Sequence, residues 1–335
     1  MGDLSKGPSD TSELDDLDLG IIRELEGDGR RGIVDLASAL GVHRNVVSAR
    51  LKRLLRERIV VPGVYAYPPA LGYRTVVWIG LRVAPGFLEA VADRMASLPN
   101  IHLAFVCLGR YDVLVWGLFR DQEELYAFIK RELGETPGIT DTETMIGLGV
   151  QKMSFAFLSS PQVSDNHDDG LQDANSPSET GPGGGTGLDE QDLAIIRELQ
   201  GDARQSLVSL SKAVGVHRNV TSAKLKRLTD RGIVKAVAVP NPIALGYRVM
   251  VIVCVSVLPG CIEAASEGLQ SLANVHTVTI CTGRYDIMLW GFFRDQDELY
   301  AHIATDLGKT PGITGTETIV ILRVKKMSFA YLTSS

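Results

Sequence analysis

The spacing of apolar positions changes period part-way along the chain, and then the whole pattern starts again. Leu17, Ile21, Ile22 and Leu25 fall on one face of a helix, which Gly27 and Gly29 are expected to end. The segment IVDLASAL (33–40) is a second, short helix closed by Gly41. A third helix starts near His43 and runs to about Arg58, with Val47, Leu51, Leu54 and Leu55 forming its buried stripe. The period then shortens. YRTVVWIGLRV (73–83), IHLAFVCLG (101–109) and YDVLVWGLF (111–119) are rich in β-branched and aromatic residues and read as strands, and a last strand spans about 140–158. Between them, PGFLEAVADRMASL (85–98) and DQEELYAFIKREL (121–133) have helical spacing. The order β-α-β-β-α-β is that of a ferredoxin-like split βαβ fold.

All of this recurs at an offset of 174 residues. GVHRNVVSARLKRL (41–54) returns as GVHRNVTSAKLKRL (215–228), Tyr73 maps to Tyr247, Gly109 to Gly283, Trp116 to Trp290, Pro137 to Pro311 and Ser154 to Ser328. No gap is needed from Leu14 through Ser160, and about half of the paired positions are identical. Solenoid repeats run about 20 to 50 residues, so this is a duplicated whole module. The predicted class is α+β: two repeats, each a winged-type helix-turn-helix followed by a ferredoxin-like βαββαβ domain. The expected division is a disordered tail at 1–13, helix-turn-helix domains at 14–62 and 188–236, and ferredoxin-like domains at 63–160 and 237–335. A flexible linker at 161–187, rich in Gly, Pro, Ser, Asp and Asn, lies between the repeats.

Composition narrows the partners. A chain of 335 residues with 45% hydrophobic and 22% charged residues is ordinary for soluble globular protein. No secretory leader opens it, and the longest apolar runs fall short of the roughly 20 residues of a membrane span, so a cytoplasmic protein without membrane contact is expected. Cys107, Cys254, Cys261 and Cys281 form no CxxC pair and read as reduced structural cysteines; neither metal site nor cofactor is expected. The net charge of −6 taken alone argues against nucleic acid. Its distribution argues the other way. From His43 to Arg58 there are six Arg or Lys and one acid. A short helix, a Gly-containing turn and a basic helix make a helix-turn-helix, whose second helix lies in the major groove.

On that reading Arg44, Asn45 and Ser48 stand where base edges are met, with Lys52 and Arg53 further along against phosphate, and His43 at the helix start able to meet a phosphate or a base. The second copy offers His217, Arg218, Asn219, Ser222, Lys226 and Arg227. The partner is double-stranded DNA, and because the two helices are similar but not identical, its site is an imperfect palindrome. A solvated basic face is the competing explanation; the Gly turn and the second copy weigh against it.

LDDLDLGIIRELEGDGR, LGVHRNVVSARLKRL, GRYDVLVWG and TPGITDTETM, in that order and twice over, resemble the Lrp/AsnC (feast/famine) transcriptional regulators. The resemblance covers nearly all of both units. It implies a helix-turn-helix joined to a ferredoxin-like domain that senses a small molecule, often an amino acid, and self-associates. Two departures stand out: the family usually has Ser or Thr where His43 and His217 cap the recognition helix, and it normally carries one unit per chain. The implied effector site lies at the G-x-[YF]-D turn, here Gly109, Arg110, Tyr111 and Asp112, and again Gly283, Arg284, Tyr285 and Asp286. The family more often has an acid where Arg110 and Arg284 stand. Thr136 and Gly138, Thr310 and Gly312, and the T-E-T run that follows each would line the same region. Asp suits an ammonium and Arg a carboxylate. A merely structural hairpin explains these residues equally well. Thr282, where the first unit has Leu108, marks the second unit as the better binder.

A rival class has the same architecture. Sirohaem decarboxylases look like this arrangement and are sometimes fused in tandem, but carry a His/Arg cluster of H-N-Y-x-R-x-H type. Here LAFVCLGRYD follows His102 and TVTICTGRYD follows His276, so only the first His of the cluster is matched. A lone strand His is more often structural, and no catalytic residue is assigned.

Overall fold

The structure is a computed structural model that describes residues 14–158 and 187–332. The expected tail at 1–13 and the expected linker, apart from Gly187, lie outside the described residues. Each unit begins with three helices: α1 (Asp16–Gly27), α2 (Ile33–Leu40) and α3 (Arg44–Arg56), then α6 (Glu190–Gly201), α7 (Leu207–Val214) and α8 (Arg218–Asp230), numbered in chain order. A capping box starts α1, with Asp15 and Asp18 each accepting from the other's backbone N–H. Gly41 and Gly215 end α2 and α7 in the left-handed conformation that glycine adopts without strain. Gly29 does not end α1, which stops at Gly27. Its lack of a side chain lets the backbone press against Val237 of the other unit, where a Cβ would come within 2.4 Å of the carbonyl carbon.

A strand follows each helical trio, β1 (Val60–Ala66) and β6 (Val234–Pro240). They pair antiparallel with each other, Gly63 opposite Val237, forming a ribbon across the two units. The expected boundaries at 62/63 and 236/237 therefore fall inside strands. The sequence hid β1 because Pro62 and Gly63 interrupt its apolar run. Each helical trio packs on the strand of the opposite unit as well as its own: Ala238 joins the core of Ile21, Leu25, Leu36 and Leu54, while Val64 and Ala66 join that of Ile195, Leu199 and Leu228.

The ferredoxin-like domains follow the expected order. Unit 1 has β2 (Thr75–Val83), α4 (Leu88–Ser97), β3 (Ile101–Leu108), β4 (Val113–Phe119), α5 (Gln122–Phe128) and β5 (Ile139–Met153). Unit 2 has β7 (Val249–Val257), α9 (Ile262–Gln270), β8 (Val275–Thr282), β9 (Ile287–Phe293), α10 (Gln296–Ala301) and β10 (Ile313–Met327). The strand orders are β3-β4-β2-β5 and β8-β9-β7-β10. At 15 residues, β5 and β10 are long enough to serve both units. The first half of β5 pairs with β2 and its second half with β8; β10 does the same with β7 and β3. The result is one closed eight-stranded barrel with no free edge. Helices cover the outer faces, and the two inner faces share a core containing Trp78, Phe105, Trp116, Ile252 and Trp290.

Candidate nucleic-acid interface and effector site

The recognition helices present their first turns to solvent. His43, Arg44 and Asn45 are exposed on α3, as are His217, Arg218 and Asn219 on α8. The histidines solve the capping problem themselves: His43 Nδ1 accepts from the Asn45 N–H at 3.2 Å, and His217 Nδ1 from that of Asn219 at 3.4 Å. Each cap needs Nδ1 free of its proton. Ser48 is half-buried, and Lys52, Ser222 and Lys226 are exposed; Lys226 also pairs with Asp230 at 2.8 Å.

Arg53 and Arg227 are engaged elsewhere. Asp18 is fully buried, and its Oδ2 receives Arg53 as well as Arg50, the latter at 3.1 Å. In the second unit buried Asp192 receives Arg227 at 2.5 Å and Lys224 at 3.3 Å. These pairs lock the recognition helix onto the first helix of its trio. A buried carboxylate needs such partners, because leaving it alone would forfeit its hydration with nothing in return. Arg53, 23% exposed, is fixed by this bond, whereas Arg227 at 45% keeps more of its surface. The sequence showed the basic run but not the acid 35 residues upstream that uses part of it.

The two G-R-Y-D turns lie where each unit crosses the other. Gly109 and Gly283 both adopt φ of 128°, and a Cβ at Gly109 would lie 3.3 Å from Thr318 O of β10. Asp112 and Asp286 point into their own units. Asp112 Oδ2 accepts from the Val83 N–H at 2.8 Å, and Asp286 Oδ2 from that of Val257 at 2.7 Å, so both carboxylates already cap a strand end. The T-P-G turns arrive at the same strand ends: Ala84 N–H donates to Gly138 O and Leu258 N–H to Gly312 O, each at 2.8 Å. The hydroxyls of Thr136 and Thr310 turn inward to the carbonyls of Glu132 and Asp306.

The charged centre is instead Glu143, from the T-E-T run of β5. Its Oε2 accepts from Tyr111 OH at 2.7 Å and Arg110 Nε at 3.1 Å, and Arg284 of the other unit stands 4.0 Å from Oε1. Burial pushes this carboxyl up, but the donated bonds from Tyr111 and Arg110 outweigh it and hold Glu143 below the usual carboxylate range. Glu317 receives Tyr285 in the second unit, whose phenol is pushed up to about 12 by burial and that bond. The units differ at one more point. Arg82 Nη1 donates to Arg110 O at 2.6 Å and to Gly109 O at 3.4 Å, clamping the first turn. Ser256 stands in its place in the second unit and makes no such bonds. Thr282, Gly283 and Arg284 are exposed there.

His102 and His276 are core residues, packed edge-on against Trp116 and Phe292 respectively. Burial pushes His102 down to about 3, with Lys326 adding repulsion, and His276 down to about 4. All four cysteines are free thiols. Among the described residues no His, Cys, Asp and Glu cluster could hold a metal, and no helix is long and apolar enough to cross a membrane.

The Lrp/AsnC ligand binding domain model matches residues 76–156 and 250–331. An AsnC-type helix-turn-helix domain matches 14–55, and a winged helix-turn-helix DNA-binding model matches 188–235. An uncharacterized HTH-type transcriptional regulator of Pyrococcus abyssi is 34% identical over 144 residues, 43% of this chain and 91% of the relative. The HTH-type transcriptional regulator FL11 of Pyrococcus furiosus is 31% identical over 140 residues, covering 42% and 92%. Transcriptional regulator AzlB of Bacillus subtilis is 30% identical over 143 residues, covering 42% and 91%. Each relative thus corresponds to about one unit. The crystal structure of the siroheme decarboxylase NirDL superposes over both units, covering 95% of each chain with a TM-score of 0.65. At 15% identity that likeness concerns the fold alone. Two ligand-binding regions, two helix-turn-helix regions and one-unit relatives named as regulators lead to a single assignment: the chain belongs to the Lrp/AsnC family of transcriptional regulators, with two family units in one polypeptide.

Proposed function

We propose that the chain binds double-stranded DNA sequence-specifically through the first turns of α3 and α8. The observation that carries this is the presentation, twice on one pseudo-symmetric frame, of the same exposed His-Arg-Asn end on a helix-turn-helix. Arg44, Asn45 and Ser48, with Arg218, Asn219 and Ser222, meet base edges; Lys52 and Lys226 meet phosphate. Arg53 and Arg227 act chiefly by holding the helices. Two near-identical readers in one chain fit an imperfect palindrome, bound by a pseudo-dimer that associates further with other chains. Selection from a randomised duplex pool tests this. Enrichment of sites with two inverted, non-identical half-sites is expected, and equal retention of all sequences would overturn it.

A small molecule, an amino acid or a relative of one, is the proposed effector, bound at the G-R-Y-D turns. The second unit is favoured because Ser256 leaves its turn without the clamp that Arg82 supplies to the first, and Thr282 adds a hydroxyl. Backbone groups and Arg284, rather than the strand-capping Asp286, offer the contacts. A ligand there touches both units and can shift the assembly by its difference in affinity between the two states. Thermal shift against the twenty amino acids should show one that stabilises the wild type and fails with Thr282→Leu. Stabilisation that survives Thr282→Leu would place the effector elsewhere.

We read the chain as a regulator and not as a decarboxylase of the same architecture. Supporting this are the regulator names of its relatives and the core packing of His102 and His276, whose depressed basicity suits neither for accepting a proton at neutral pH. Added sirohaem gives the discriminating experiment, since decarboxylation by the purified chain would reverse the reading.

A further inference from the structure

The duplication supplies an internal control for a feature that neither the DNA interface nor the turns use. Where β1 of unit 1 leaves the ribbon, it runs into a short 3-10 turn, Pro68–Leu71, and then β2. Between that connection and β5 opens a cleft of about 120 Å³. Its walls include Tyr65, Tyr67, Tyr73 and Trp116, its floor is Gly147 and Gly149, and Arg74 is exposed at its mouth. Arg74 makes no ion pair among the described residues. At the equivalent positions unit 2 carries Ile321 for Gly147, a side chain in the shared core, with Met250 for Val76 and Val239 for Tyr65, while Arg323, in place of Gly149, turns outward to Glu89. The cleft of unit 1 lies beside two glycines at a β-bulge of β5, where unit 2 has side chains.

We propose that this cleft is a second ligand site, taking a small aromatic carboxylate. An apolar cavity of about 150 Å³ accommodates benzene, so this volume suits one ring. Four aromatic side chains supply faces and edges for stacking. The guanidinium of Arg74 at the open end is placed for a carboxylate. The location also gives binding a consequence. Tyr65 and Tyr67 belong to the connection that carries the first helix-turn-helix, and Tyr73 OH donates at 3.0 Å to the carbonyl of Tyr331 from unit 2. Tyr331 in turn packs on Tyr65 and Trp116 at ring separations of 6.0 and 6.3 Å. An occupant would brace the strap between DNA-binding and sensing parts against both units at once.

The site is independent of the G-R-Y-D turns, so its failure leaves the effector reading standing. Calorimetric titration of the full chain with benzoate, phenylacetate and indole-3-acetate, beside uncharged 2-phenylethanol, tests it. One equivalent of at least one carboxylate should bind. Gly147→Ile, which copies unit 2, should abolish binding; a Cβ there would touch Val76 and Thr279 at 3.4 Å. Arg74→Gln should weaken the carboxylate by about tenfold or more and leave 2-phenylethanol unaffected. Because Arg74 is exposed, that variant keeps the test open even if Gly147→Ile fails to fold. Hydrogen exchange at residues 65–71 should slow on binding. Absence of saturation by all three carboxylates below roughly 10 mM, or binding that both substitutions leave intact, would overturn the proposal.

Discussion

Replacing Arg53 by Ala separates two uses of a basic helix that a sequence cannot tell apart. If Arg53 neutralises a phosphate, its loss lowers the slope of log K against log salt by about 0.9. If it serves Asp18, its loss destabilises the first helical trio. The structure favours the second. Asp18 is fully buried, and without Arg53 it keeps only Arg50 at 3.1 Å and the Asp15 N–H at 3.3 Å. Breaking a buried pair costs about 3–5 kcal/mol when the remaining charge is stranded. Here Arg50 stays and Arg53 is itself partly solvated, so about 2 kcal/mol is a fair discount. A domain stable by about 5 kcal/mol or more would remain folded after that loss, so DNA affinity at low temperature should change little. Chemical denaturation and hydrogen exchange should report the loss in α1–α3, while fluorescence anisotropy over a salt series should return the wild-type slope. Arg44→Ala should behave oppositely, with stability unchanged and discrimination reduced by about 1–3 kcal/mol at one base pair. A flattened slope with unchanged stability in Arg53→Ala would refute the assignment.

Three further outcomes are expected. Because burial depresses His102 to about 3 and His276 to about 4 from 6.5, the unfolded chain binds more protons than the folded one between these values. Stability should therefore fall as pH drops from 6.5 towards 4, and His276→Phe, followed by denaturant titration at several pH values, should remove part of that dependence. Gly138→Ala places a Cβ within 2.3 Å of Phe87 Cβ at a φ of 92°, so it should cost about 2–3 kcal/mol by thermal unfolding, a normal melting temperature being the adverse result. Arg82→Ser, which gives the first turn the second unit's residue, should accelerate amide exchange at residues 109–112 and leave that at 283–286 unchanged.

Much of this protein is written locally. The 3.6-residue spacing of Leu17, Ile21 and Leu25, the Gly that closes α2, and the β-branched and aromatic runs through 101–119 each act within a few residues, so helices, strands and their order follow from the chain alone. The duplication made every such signal appear twice. The exposed Arg44 and Asn45 were legible because a helix start is a local event. What the sequence withheld depends on residues far apart meeting. Pro62 and Gly63 weaken β1 as an isolated strand, and only pairing with β6 makes it one. Arg53 looked like a phosphate contact until the fold brought Asp18 beneath it, and Asp112 like an ammonium acceptor until Val83 claimed its oxygen. Glu143 became a charged centre because the barrel closes two units around it, gathering Tyr111, Arg110 and Arg284 from two turns 174 residues apart. Local propensity selects elements; which polar groups are left to face a ligand is settled by the long-range contacts that use up the rest.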